Sequence, residues 1–78
     1  MPARAYLLVE TEVGKVKDVL KIMSKVKGVK TCEAVTGPYD IIASLESKDI
    51  DALGRIVTDQ VQRTKGVKRT VTCLTVEL

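Results

Sequence analysis

The sequence predicts an α+β domain, a ferredoxin-like βαββαβ sandwich in which a four-stranded antiparallel sheet carries both helices on one face. Three observations predict it. Apolar residues recur with a helical period in two separate stretches, each flanked by short runs of strand character. The segment Lys27-Gly28-Val29-Lys30 returns as Lys65-Gly66-Val67-Lys68, each time where a helix gives way to a strand, so the chain reads as two βαβ halves. The halves join at Thr36-Gly37-Pro38-Tyr39-Asp40, a turn signal short enough for an antiparallel hairpin.

The first strand is expected at 5–9, where Ala5-Tyr6-Leu7-Leu8-Val9 suits a strand buried on both faces. Gly14 and its neighbours break it. Over 15–26 the residues Val16, Val19, Leu20, Met23 and Val26 fall on one stripe of an amphipathic helix, with the lysines mostly outside it. Gly28 stands where a helix C-cap belongs, and Lys25 and Lys27 suit the negative end of the helix dipole. A polar and apolar alternation over 29–35 predicts the second strand, and 41–45 the third. Ser47 or Asp49 can N-cap a second helix with Ile50, Leu53, Val57 and Val61 on its apolar face and Gly54 allowing close packing. Gly66 ends that helix, and the Thr- and Val-rich run 67–76 is the last strand.

Composition narrows the function classes. The 78 residues, 45% of them hydrophobic, make one domain over 1–78 that buries a modest share of its surface, for which oligomerisation is a natural remedy. With two Tyr and no Trp or Phe, the chain lacks the aromatic platforms of single-strand nucleic-acid binders. The net charge of +3 is concentrated in Lys15, Lys17, Lys21, Lys25, Lys27 and Lys30 against Asp18, which reads as a solvated helix face because no Arg-rich cluster accompanies it. The absence of His and of CxxC spacing excludes zinc fingers and Cys/His nucleophilic sites, and leaves Cys32 and Cys73 as buried free thiols. No metal or cofactor is implied. No apolar run has the length of a membrane span and residues 1–4 carry no signal-peptide pattern, so the expected compartment is the cytoplasm.

Within this frame the corner is the best candidate for polar recognition. Gly37 can take backbone angles closed to other residues, Pro38 fixes its own φ, and Asp40 can accept from nearby amides. The expectation is a stiff corner presenting Thr36, Tyr39 and Asp40; a plain hairpin turn is the alternative. The sheet carries a second clue. Leu7 and Leu8, Ile41 and Ile42, and Cys73 and Leu74 point to opposite faces, yet both members of each pair are apolar. Something must cover the face without helices, and a second copy in a two-fold dimer is the simplest cover.

The strand before Gly37-Pro38-Tyr39-Asp40, the Ile41-Ile42 behind it, Asp49, Leu53 and Val57 on a helix, and Lys65-Gly66-Val67 leading to Thr70-Val71-Thr72 together resemble the RAM domain. That is the effector-binding C-terminal domain of the Lrp/AsnC family of feast/famine transcription regulators. The resemblance covers nearly the whole chain, and its most specific piece is the Gly-x-Tyr-Asp corner. It implies dimers formed through the sheets, a higher ring of eight or ten subunits, and a small molecule, chiefly an amino acid, bound between subunits near that corner. Carried onto this sequence it implies a site made of Ala34, Thr36, Gly37, Pro38, Tyr39, Asp40, Ile50, Thr72, Cys73 and Leu74. Turn amides would receive the ligand's carboxylate, and Asp40 or a Thr hydroxyl its ammonium. Pro38 departs from the polar residue usual after the glycine and removes one N–H donor.

No helix-turn-helix precedes the first strand, so the chain resembles a stand-alone RAM domain. Direct sequence-specific DNA binding is not expected, and full-length Lrp/AsnC regulators are the implied partners. A purely structural assembly domain is a second reading. A small enzyme on a dimeric α+β barrel is a third, disfavoured because the sequence offers no obvious acid/base pair. The paired cysteines of a metal chaperone are missing between Thr11 and Lys15, and an RNA-recognition module would need aromatics where Leu7, Val9 and Val71 stand. An ACT-type domain shares the topology, but the Tyr39-Asp40 corner favours RAM.

Overall fold

In the computed structural model, which describes residues 2–78, the chain runs β1 (Ala3–Thr11), α1 (Val16–Met23), β2 (Val29–Ala34), β3 (Ile41–Ser47), α2 (Ile50–Arg55, continued by π-helical turns over Ile56–Val61) and β4 (Val67–Leu74). The strands form one sheet of order β2-β3-β1-β4, antiparallel throughout. This is the predicted βαββαβ arrangement. Alternate residues of β1 and β3, namely Ala5, Leu7, Val9, Ile41, Ala43 and Leu45, are buried beneath the helices with Val19, Met23, Leu53, Val57 and Val61. Each of the Val, Leu, Ile and Met side chains contributes about 1.5–3 kcal/mol by leaving water. No helix among the described residues is long and apolar enough to cross a membrane.

β1 is longer than the expected 5–9 and is buried on one face only within a single chain. Tyr6 is 54% exposed and Leu8 half-buried, because both helices lie on the other side. Ile42 from β3 joins them on this open face, as do Val71 and Cys73, whose register partners are Leu8 and Tyr6. Cys73 is therefore exposed, while Cys32, opposite Ala43 on the helix side of edge strand β2, is half-buried against the core, so neither is the buried thiol expected. A strand position is buried only if a layer covers its face, and one chain supplies a single layer.

α1 ends at Met23, short of the predicted 26, and its C-cap is Ser24, not Gly28. The Ser24 hydroxyl donates to the Leu20 carbonyl at 2.7 Å, and tighter turns follow as Lys25 N–H donates to Ile22 and Val26 N–H to Met23. Gly28 serves afterwards, turning the chain into β2 at φ +101; Gly66 enters β4 at the same φ. The repeated tetrapeptide thus marks matching turns. Gly28 accepts the Glu46 N–H at its carbonyl (2.8 Å), and Gly66 accepts that of Glu12 (2.7 Å).

Asp49 caps α2 by accepting the Ala52 N–H at 2.7 Å. Beyond Arg55 the helix widens, with Gln62 N–H reaching back to the Val57 carbonyl at 2.8 Å. Residues four apart then stay aligned, and Leu53, Val57 and Val61 are all buried. Ile50 is not part of that face, being 62% exposed, and Gly54 lies on the outer side with nothing near the position a Cβ would take, so it does not mediate the expected close packing.

Candidate ligand site at the corner

The corner between β2 and β3 is anchored through its last residue. Val35 N–H donates to the Asp40 carbonyl (2.8 Å), which closes the loop, and Asp40 N–H donates to the Val9 carbonyl (2.9 Å), which fixes it over β1. The β1–β3 ladder ends at Val9↔Ile41, and the Asp40 side chain extends it: Oδ2 accepts from both the N–H of Thr11 (2.8 Å) and its hydroxyl (3.1 Å). Thr11 is only 7% exposed, so the carboxylate satisfies a buried donor. Thr36, Gly37 and Pro38 are exposed, and Gly37, at φ +134, has nothing within 4 Å of the place a Cβ would take.

Tyr39 links the corner to the far strand. The Arg69 guanidinium lies over its ring, Cζ 5.6 Å from the centroid, with Nη2 3.5 Å from the phenol oxygen. Arg69 Nε also meets Glu10 Oε1 at 3.4 Å, and Lys68 Nζ meets the other oxygen at 3.8 Å. The loop therefore leans from β2 across β1 to β4. Thr11, Glu10, Lys68 and Arg69 are not among the candidate site residues expected from the sequence. Their only signal is that polar groups stop the apolar runs of β1 and β4 at the end of the sheet where the corner sits.

The ten predicted residues fall into separate groups. Ala34 pairs with Ile41 beside the corner, so it joins Thr36, Gly37, Pro38, Tyr39 and Asp40. Leu74 pairs with Ala5 at the opposite end of the sheet, where Ile50 begins α2. Through Ala5, Leu74 lies level with Leu45, four residue steps along β3 from Ile41, about 13 Å. Thr72 and Cys73 pair with Leu7 and Tyr6 between them, on opposite faces. Around Leu74 and Ile50 a depression of about 720 Å³ opens, lined also by Ala3, Arg4, Thr75 and Val76. One chain thus has a corner at one end and, at the other, a hollow in which apolar residues are joined by Arg4, Asp49, Asp51 and Glu77. Of the two thiols, Cys32 is pushed up from its ordinary value by burial, partly offset by a hydrogen bond from Ser24.

A four-stranded sandwich with an open apolar face and an anchored Gly-x-Tyr-Asp corner is an α+β domain of the ferredoxin-like class. Residues 4–77 match the Lrp/AsnC ligand binding domain, and the chain belongs to that family. An uncharacterised HTH-type transcriptional regulator of Pyrococcus horikoshii is 31% identical over 70 residues, covering 90% of this chain and 44% of the regulator. A homocitrate synthase of Saccharolobus solfataricus is 36% identical over 56 residues, covering 72% of this chain and 12% of the synthase. The chain spans less than half the length of either relative. Among solved structures, a protein from Thermus thermophilus superposes with a TM-score of 0.92 at 29% identity, covering 97% of this chain and 95% of that one. A Neisseria meningitidis transcriptional regulator solved as an L-Met complex superposes with a TM-score of 0.86 at 19% identity, covering 96% of this chain and 50% of the regulator.

Proposed function

We propose that this domain is an effector-binding and oligomerisation module of transcription regulation, which binds an amino acid between subunits. The observation that carries the reading is the open face of the sheet: in a member of a ligand-binding-domain family, Tyr6, Leu8, Ile42, Val71 and Cys73 form a strip that one chain leaves partly in water. A second copy covers that strip, and the dimers assemble into an octameric or decameric ring. The separation of the corner from Leu74, about 13 Å along β3, supports a site shared between copies, in which the corner of one subunit meets the hollow of another.

The N. meningitidis regulator solved with L-Met supports an amino acid as the ligand class. The P. horikoshii regulator supports a role beside DNA-binding proteins: the 1–78 unit senses, and full-length Lrp/AsnC regulators co-assembled with it touch DNA. In this reading the chain performs no catalysis and works in the cytoplasm. The likeness to a stretch of homocitrate synthase supports a domain that reports metabolite levels to more than one kind of protein.

The test is a thermal-unfolding scan with each of the twenty amino acids at millimolar concentration, alongside light scattering. A native-state ligand at one hundred times its Kd adds about 2.7 kcal/mol. A shift confined to one or a few amino acids is expected, on an oligomeric mass. No shift with any of them, or a monomeric mass, overturns the corresponding half of the reading. A structural assembly domain is the second reading, favoured by one observation: the Asp40 carboxylate already holds Thr11.

A further inference from the structure

β4 enters the sheet through a bulge opposite Glu10 and Thr11, and the irregularity brings two successive basic residues, Lys68 and Arg69, onto the single carboxylate of Glu10. Arg69 is then held on two sides, by Glu10 at Nε and by the ring and hydroxyl of Tyr39. A guanidinium has five donors in a planar fork. These contacts engage Nε and one hydrogen of Nη2, and among the described residues no other acceptor meets the fork, whose side chain is 62% exposed. Two cations against one carboxylate leave the spot positive. The donors expected at the corner itself are poorly placed by comparison. Pro38 has no N–H, and Gly37, in the exposed part of the turn, has nothing within 4 Å of the place a Cβ would take.

We propose that Arg69 is the acid receptor of this domain: its outer Nη edge takes the carboxylate of an α-amino acid lodged at the corner, while Glu10 and Tyr39 are positioning residues that hold the fork. This rests on the amino-acid reading of function. It replaces the glycine turn by an arginine on a different strand as the group that recognises the acid. A fork aimed end-on binds a carboxylate through two parallel hydrogen bonds, which neither an amide nor a lysine reproduces.

The experiment titrates the twenty amino acids and their α-carboxamides into wild type, Arg69→Gln and Arg69→Lys by calorimetry. Wild type binds its preferred acid at least tenfold more tightly than the matching amide. In Arg69→Gln the acid weakens about tenfold and the amide does not, so the ratio collapses toward one, and Arg69→Lys keeps an intermediate ratio. A purely structural arginine would weaken acid and amide together. An acid-to-amide ratio unchanged in Arg69→Gln overturns the assignment and leaves the amino-acid reading standing. No binding of any amino acid to wild type overturns both.

Discussion

Replacing Asp40 by alanine removes the acceptor of two hydrogen bonds at once and leaves a nearly buried donor without its partner. The Thr11 N–H, 2.8 Å from Oδ2 in a residue 7% exposed, loses its partner, and the Thr11 hydroxyl at 3.1 Å must turn elsewhere. An unsatisfied buried donor costs about 1–3 kcal/mol and the second bond about 1 kcal/mol, so Asp40→Ala should destabilise by about 2–4 kcal/mol. For a chain of this length 1 kcal/mol corresponds to about 6 °C, which gives a fall of about 12–24 °C in Tm. Asp40→Asn keeps an oxygen acceptor and should lose less than half as much. Far-UV circular dichroism melts at one fixed protein concentration, with the mass checked by light scattering, measure this directly. A fall below about 3 °C for Asp40→Ala would refute the argument that the carboxylate is committed to the fold. If the same variant also lost every amino-acid-induced shift, Asp40 would belong to the ligand instead.

Two further substitutions and a labelling experiment follow from the geometry. Gly66→Ala puts a Cβ at φ +101 and 3.0 Å from both Lys15 Cβ and Val19 Cγ2, so a loss of about 1–3 kcal/mol is expected in urea unfolding, whereas Gly54→Ala, helical and with open space around it, should gain about 0.5–1 kcal/mol. Equal effects at the two glycines would refute this account. With a thiol reagent at mildly alkaline pH, exposed Cys73 should react first in dissociated protein, and in Cys73→Ser the half-buried Cys32 should react only as the pH rises beyond the ordinary thiol value of about 9.0. Above that value the native state keeps a proton on Cys32 that the unfolded chain releases, so this thiol's contribution to stability is whole below it and is lost as the pH climbs from there through the raised native value.

The order of elements was legible because each helix and strand carries its own period and its own stop, and the repeated Lys-Gly-Val-Lys shows where the halves correspond. What escaped depends on partners far along the chain. Nothing local in Ile56–Val61 distinguishes a π turn from an α turn; packing of Val57 and Val61 on the sheet decides it. Ile50 fits the helical stripe, but as the residue directly after the Asp49 cap it stays 62% exposed, lining the hollow with Leu74 and Val76. At the corner, residue types and turn were readable. That Asp40 serves Thr11 across 29 positions, and Tyr39 meets Arg69 across 30, follows from strand register alone. Pairing of that kind leaves no mark in the neighbouring sequence.

The two matching turns do more than mirror each other. A side chain on Gly28 would strike Ile56 of the second half, and one on Gly66 would strike Lys15 and Val19 of the first, so each half offers a bare stretch of backbone as the seat for the other half's helix. The carbonyls of the same two glycines are taken by Glu46 and Glu12, again each across the divide. Neither half can therefore finish its own interior. The internal repeat, which in a string of beads would let units melt one after another, here makes the halves each other's scaffold, and the chain must gain or lose its order as a whole.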